Sequence, residues 1–168
     1  LGFAAVTPEL VPLLFGADAL TEGGTIEDNG CSGAYAEVGK LTLTNLTIRR
    51  NQWGLYQSSP LSSTSPSAAL LTVTGGSLTC NRHTTAGACA ASGNGSDVWN
   101  QSGLPLTATN VAWDAAPLAK CSCDYLLASC SCSGRAFGQT TPPDAIEVLT
   151  SPYSASTTGT PTVDTTGY

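Results

Sequence analysis

The sequence predicts an all-β fold in which short strands stack in repeating, parallel rungs. Three observations carry this. The chain of 168 residues holds 18 Gly and 10 Pro, and only 11% of it is charged, against about 25% in ordinary soluble domains. A short strand-turn-strand pattern recurs along it without internal gaps, and copies of that pattern close on Asn. Such a composition excludes a helical bundle or coiled coil, which needs Ala, Glu, Lys, Leu and Arg in quantity. A net charge of −6 with only 6 Lys and Arg argues against a nucleic-acid partner. No stretch is long and apolar enough to span a bilayer as a helix.

The repeat is visible as alignments. Thr25-Ile26-Glu27-Asp28-Asn29 matches Thr47-Ile48-Arg49-Arg50-Asn51, twenty-two positions on. Residues 41–51 match residues 71–81, thirty positions on, and residues 106–113 repeat the pattern thirty-five positions later. The apolar residues fall at constant places: Leu41, Leu43, Ile48; Leu71, Val73, Leu78; Leu106, Ala108, Trp113. A third short β-prone run follows, with an aromatic at Tyr35, Tyr56 and Trp99. A strand of this kind cannot bury one face alone. Stacked in parallel, about 4.8 Å apart, the runs would align Ile26, Ile48, Leu78 and Trp113 in one column and Leu41, Leu71 and Leu106 in another. Asn29, Asn51 and Asn81 would stack at a turn, where Asn tolerates left-handed backbone and its amide bonds up and down the pile. Extra residues, 58–69 and 82–96, are rich in Ser, Thr, Gly and Ala and read as loops leaving a constant frame.

This pattern resembles the right-handed parallel β-helix repeat proteins, the architecture of pectate-lyase-like enzymes, tailspikes and many bacterial surface proteins. The resemblance covers residues 19–117, about four coils, few for a solenoid whose ends need caps. A β-sandwich also uses short alternating strands, but it has no need of Asn at the same turn in each repeat. The organisation read from the sequence is an N-terminal cap or degenerate coil (1–18), the coils (19–117), a Cys-rich C-terminal cap (118–150) and a Thr/Ser-rich tail or linker strand (151–168).

Seven cysteines beside a Lys-poor surface point to an oxidising compartment, extracellular or at the cell surface. Cys121-Ser122-Cys123 and Cys130-Ser131-Cys132 have one residue between cysteines where structural zinc motifs use two to four, so two disulfides are expected and no metal. Cys80 and Cys89 are a further disulfide candidate, which leaves Cys31 as a free buried thiol or one paired outside the chain. Residues 1–20 hold no basic residue and do not read as an intact signal peptide. Asn45, Asn94 and Asn100 open sequons and are glycosylation candidates.

Three groups of residues are candidates for function. Stacking would set Glu27 against Arg49 and Asp28 against Arg50. Acids and bases on one parallel sheet are what the resemblance to pectate-lyase-like enzymes implies for a catalytic face, whereas glycoside hydrolysis needs two carboxyls clustered at acid/base distance. Cross-coil ion pairing is the plainer reading. Tyr35, Tyr56 and Trp99 form an aromatic stripe that would stack sugar rings if exposed, or simply pack if buried. Thr42, Thr44, Thr72, Thr74, Thr107 and Thr109 face away from the apolar columns as good strand residues, and a flat array of them could bind ice or glycans. His83 is the lone histidine and reads as an exposed loop residue. No cofactor is expected. The sequence therefore predicts a non-catalytic structural or adhesive protein, a homo-oligomer or part of a larger surface assembly. The alternatives are a polysaccharide lyase or hydrolase and a glycan-binding module.

Overall fold

The computed structural model describes residues 19–37, 39–58, 70–81, 95–114, 117–124, 129–134, 146–151 and 160–167. Among the described residues there is no helix. The strands are β1 (Ala19–Glu22), β2 (Thr25–Glu27), β3 (Ser32–Ala36), β4 (Lys40–Arg49), β5 (Trp53–Gln57), β6 (Leu70–Thr79), β7 (Ser96–Asn100), β8 (Pro105–Thr109), β9 (Ala112–Trp113), β10 (Lys120–Cys123), β11 (Cys130–Ser133), β12 (Ile146–Thr150) and β13 (Thr162–Asp164). They make two sheets. One has the order β1-β4-β6-β8-β13, with β2 beside β4 and β9 beside β6; the other has the order β11-β10-β12-β7-β5-β3. Every pairing is parallel except β10 with β11. The chain is thus all-β, with two mostly parallel sheets.

The expected columns are present. Ile26 lies beside Ile48, Ile48 beside Leu78, and Leu78 beside Trp113. Leu41 lies beside Leu71, and Leu106 continues that column to Val163. The inward members Leu41, Leu43, Leu46, Ile48, Leu71, Val73, Leu78, Leu106 and Ala108 form one core with Leu55 and Val98 of the second sheet. Strands from beyond residue 117 join both sheets: β12 lies between β7 and β10, and β13 lies beside β8.

Two bends shape the first sheet's strands. In β4 the buried residues are Leu41 and Leu43, then Leu46 and Ile48, so the alternation slips by one residue at Asn45. Asn45 has φ 54°, and Gly23, Gly75, Asn110 and Gly167 share this left-handed backbone at the equivalent register. The left-handed residue resets which side chains face the core. The second bend turns the chain toward the other sheet. There the left-handed residues are Asp28, Arg50 and Cys80, one residue before the Asn expected to hold that conformation. The reason lies in the Asn itself, whose backbone N–H and side chain are both engaged in a ladder described below.

Two disulfides, Cys121–Cys132 and Cys123–Cys130, cross the β10–β11 hairpin at directly opposed positions. Cys80 is disulfide-bonded, while Cys89 lies outside the described residues. Cys31 is free, as expected of the leftover cysteine, but exposed rather than buried.

Candidate functional site

The second bend brings most of the sequence-predicted polar residues together. Asn29 donates its backbone N–H and its amide to Asn51 Oδ1 at 3.1 and 2.9 Å. Asn51 does the same to Asn81 Oδ1 at 3.1 and 3.0 Å. Asn81 in turn donates to Asp97 Oδ1, at 3.2 Å from its backbone and 2.8 Å from its side chain. Further amide bonds reach the carbonyls of Ile26 and Arg49 from Asn51 and of Ile48 from Asn81. Asn51 and Asn81 are fully sealed from solvent. Each rung therefore satisfies the buried polar groups of its neighbour, as burial of backbone at a bend requires.

Gly33 and Gly54 make room for this ladder. A Cβ on Gly33 would sit 2.8 Å from Asn51 Nδ2, and one on Gly54 would sit 2.8 Å from Asn81 Nδ2. One rung on, in register with Gly54, comes Asp97. Its carboxyl fills the place that an Asn amide holds in the preceding rungs. Burial pushes the Asp97 carboxyl well above its ordinary value of 3.8, and the nearby Asp114 charge pushes it further, against the pull of the Asn81 hydrogen bonds. Sequence reading missed Asp97. The available signal was its alignment with Gly33 and Gly54, two positions before the recurring aromatic.

At the outer rim of the same bend stand the four charged candidates. Arg49 Nε donates to Glu27 Oε2 at 2.6 Å. Arg50 grips Asp28 through two bonds of 2.8 and 2.7 Å and reaches Glu27 Oε2 at 2.7 Å. The hydrogen bond to Asp28, ahead of the other effects, holds the Arg50 guanidinium still further above its ordinary range. The two carboxylates and two guanidiniums are bound to one another across adjacent strands.

The aromatic candidates are half-buried on the outer face of the second sheet. Tyr35, Tyr56 and Trp99 occupy one column. Ring centroids are 5.1 Å apart for Tyr35–Tyr56 and 4.8 Å for Tyr56–Trp99, the latter pair stacked at 18°. Trp53 joins them, 4.7 Å from Trp99. Tyr56 and Trp99 thus cover each other's faces, which is how in-register aromatics stabilise adjacent strands. Tyr35 donates to Glu37 Oε2 at 3.0 Å, and its phenol is pushed up to about 12, first by burial and then by that bond.

On the first sheet, Thr42, Thr72 and Thr107 form one outward column and Thr44, Thr74 and Thr109 a second. Among the described residues none of the six hydroxyls has a hydrogen-bond partner. Of the sequon residues, Asn45 is exposed. Asn100 is fully buried and donates its amide to the carbonyls of Leu104 and Thr162 at 2.8 and 2.9 Å, so it holds the turn after β7 and offers no acceptor for a glycan in the folded chain. His83, Cys89 and Asn94 lie outside the described residues. Among the described residues no group of three or more His, Cys, Asp or Glu is arranged to hold a metal ion. Comparison with known proteins finds no matching family model, no matching curated protein and no matching solved structure.

Proposed function

We propose that this chain is a non-catalytic structural or adhesive protein of an extracellular or surface assembly, and that its two sheets are faces of a right-handed parallel β-helix. The registers of twenty-two, thirty and thirty-five residues support the coil reading, and parallel crossovers are right-handed in nearly all known cases. Disulfides at Cys121–Cys132 and Cys123–Cys130 support an oxidising compartment. The observation that carries the functional reading is the mutual ion pairing of Glu27, Asp28, Arg49 and Arg50. Both candidate carboxylates, Glu27 and Asp28, are held by guanidiniums of the adjacent repeat.

Incubation with acidic polysaccharides tests this reading. No reducing ends and no unsaturated products are expected, and sedimentation of native material should show species larger than one chain. Product release that disappears in Arg49→Ala would establish the lyase or hydrolase instead. A second reading, a glycan-binding module, is favoured by the half-exposed aromatic column of the second sheet and, separately, by the outward Thr columns of the first. Glycan-array binding without turnover, lost in Tyr56→Ala, would support it.

A further inference from the structure

Where β12 meets β7, two carboxyls occupy consecutive rungs of one buried column. The pairs Ser96–Ile146 and Val98–Val148 fix Glu147 beside Asp97, one strand spacing of about 4.8 Å away. Exposure is 3% for Asp97 and 1% for Glu147. Asp97 Oδ1 takes both bonds from Asn81, and Glu147 Oε2 takes the backbone N–H of Ala119 on the far side.

Among the described residues, these charged groups lie on the elements around the column. From the segment after β9, Asp114 adds a second negative group, its Oδ2 accepting the Cys80 N–H at 2.7 Å. From β10, Lys120 directs its ammonium to Thr165 Oγ1 at 2.6 Å. Arg49 and Arg50 are bound to Glu27 and Asp28 at the other end of the ladder. Glycines 33 and 54 of β3 and β5 complete the column without charge. In a poorly polarisable interior, burial opposes the Asp97 charge first, and the neighbouring carboxylates, Asp114 ahead of Glu147, oppose it further.

We infer that the Asp97–Glu147 step is a proton-closed joint: β12, and with it the β10–β11 hairpin, stays paired to β7 while Asp97 keeps its proton and loosens when that proton leaves to solvent. The direction follows from linkage. Asp97 binds its proton more tightly folded than unfolded, so the stability tied to that proton is complete below the ordinary value of 3.8. It is lost progressively as pH rises toward and through the raised folded value. The joint concerns the attachment of the C-terminal strands and is independent of what the assembly binds.

Native-state hydrogen exchange of the full chain, read as protection factors against pH, tests it. In the wild type the opening constant of the β12 amides should rise by about tenfold per pH unit across the window in which one proton is lost, while the β4 and β6 amides keep their protection. Asp97→Asn, which keeps an amide-sized group on the ladder, should abolish that rise. Asp114→Asn and Glu147→Gln each remove a like charge and should delay or shrink it, Asp114→Asn the more, and the double variant decides the matter if Asp97→Asn does not fold. The inference is overturned if β12 protection follows the same pH course as β4 and β6, or if Asp97→Asn, or the Asp114→Asn/Glu147→Gln double variant in its stead, retains the wild-type response.

Discussion

The chain bends twice in successive rungs, and the two bends stack by opposite means. At the second bend, side-chain amides do the work: Asn29, Asn51 and Asn81 each feed the next rung, with Gly33 and Gly54 clearing space. At the first bend, backbone lies against backbone. A Cβ on Gly76 would run into the carbonyl and amide of Leu46, and one on Gly75 would strike the Asn45 side chain. A left-handed residue sits at both bends. It is Gly or Asn at the first bend and Asp, Arg or Cys at the second. Specificity resides in what each bend can compensate. A bend held by directional amide bonds tolerates a strained non-glycine backbone, because burial of those bonds outweighs roughly 1–2 kcal/mol of left-handed strain. A bend held by close approach has no such compensation and selects small or Asn residues.

Asn81→Leu is expected to do the most damage to the amide bend. The substitution leaves the Asn51 backbone N–H and the Ile48 carbonyl short of partners in a sealed place, and takes from Asn51 Nδ2 one of its three acceptors. Each stranded buried group costs about 1–3 kcal/mol, so a loss of about 4 kcal/mol is expected from the denaturant midpoint at unchanged slope. A loss below about 1 kcal/mol would mean that the amide ladder does not hold this bend.

Next comes Gly76→Ala, expected to lose about 3 kcal/mol because the clash is with backbone and φ is +80°. Gly75→Ala is the internal control. Its obstacle is the end of the Asn45 side chain, which can move, so about 1 kcal/mol is expected, mostly from φ +67°. Equal losses at the two sites, measured by the same unfolding titration, would show that close approach of backbones is not what the first bend requires.

How far the sequence revealed these features follows from their chemistry. The amide bend was legible because one residue type recurs at one register, as did the apolar columns through Ile26, Ile48 and Leu78 and the charge pairing of Glu27 with Arg49. The close-approach bend was not legible as a column. Gly23, Asn45, Gly75 and Asn110 satisfy the same backbone demand with two unlike residues, and no composition or periodicity count unites them. Asp97 escaped for a related reason: it continues the Asn ladder from a different strand, whereas the sequence repeat carries the Asn column on to Ala116. The rung added by β12 lies in the stretch read as a Cys-rich cap, and that added by β13 in the Thr/Ser-rich tail, where three residues do not stand out from a linker. The pairing of the four cysteines in the β10–β11 hairpin was foreseeable as disulfides, but which pairs form depends on the antiparallel register.

The smallest effect is expected at the exposed rim of the amide bend, and it sharpens the comparison most. Arg49 and Glu27 have side chains 44% and 35% exposed, and Glu27 keeps a second partner in Arg50 at 2.7 Å. Removing Arg49 therefore strands no buried charge. Exposed pairs contribute about 0–1 kcal/mol, so Arg49→Ala should cost no more than that, and raising the ionic strength should erase most of the difference from wild type. Glu27→Gln should behave alike, and the double variant should lose little beyond the larger single loss, because both report on one contact. A salt-independent loss in Arg49→Ala as large as that of Asn81→Leu would reverse the assignment. The bend would then be held by its charges, and the amides would merely follow the path those charges set.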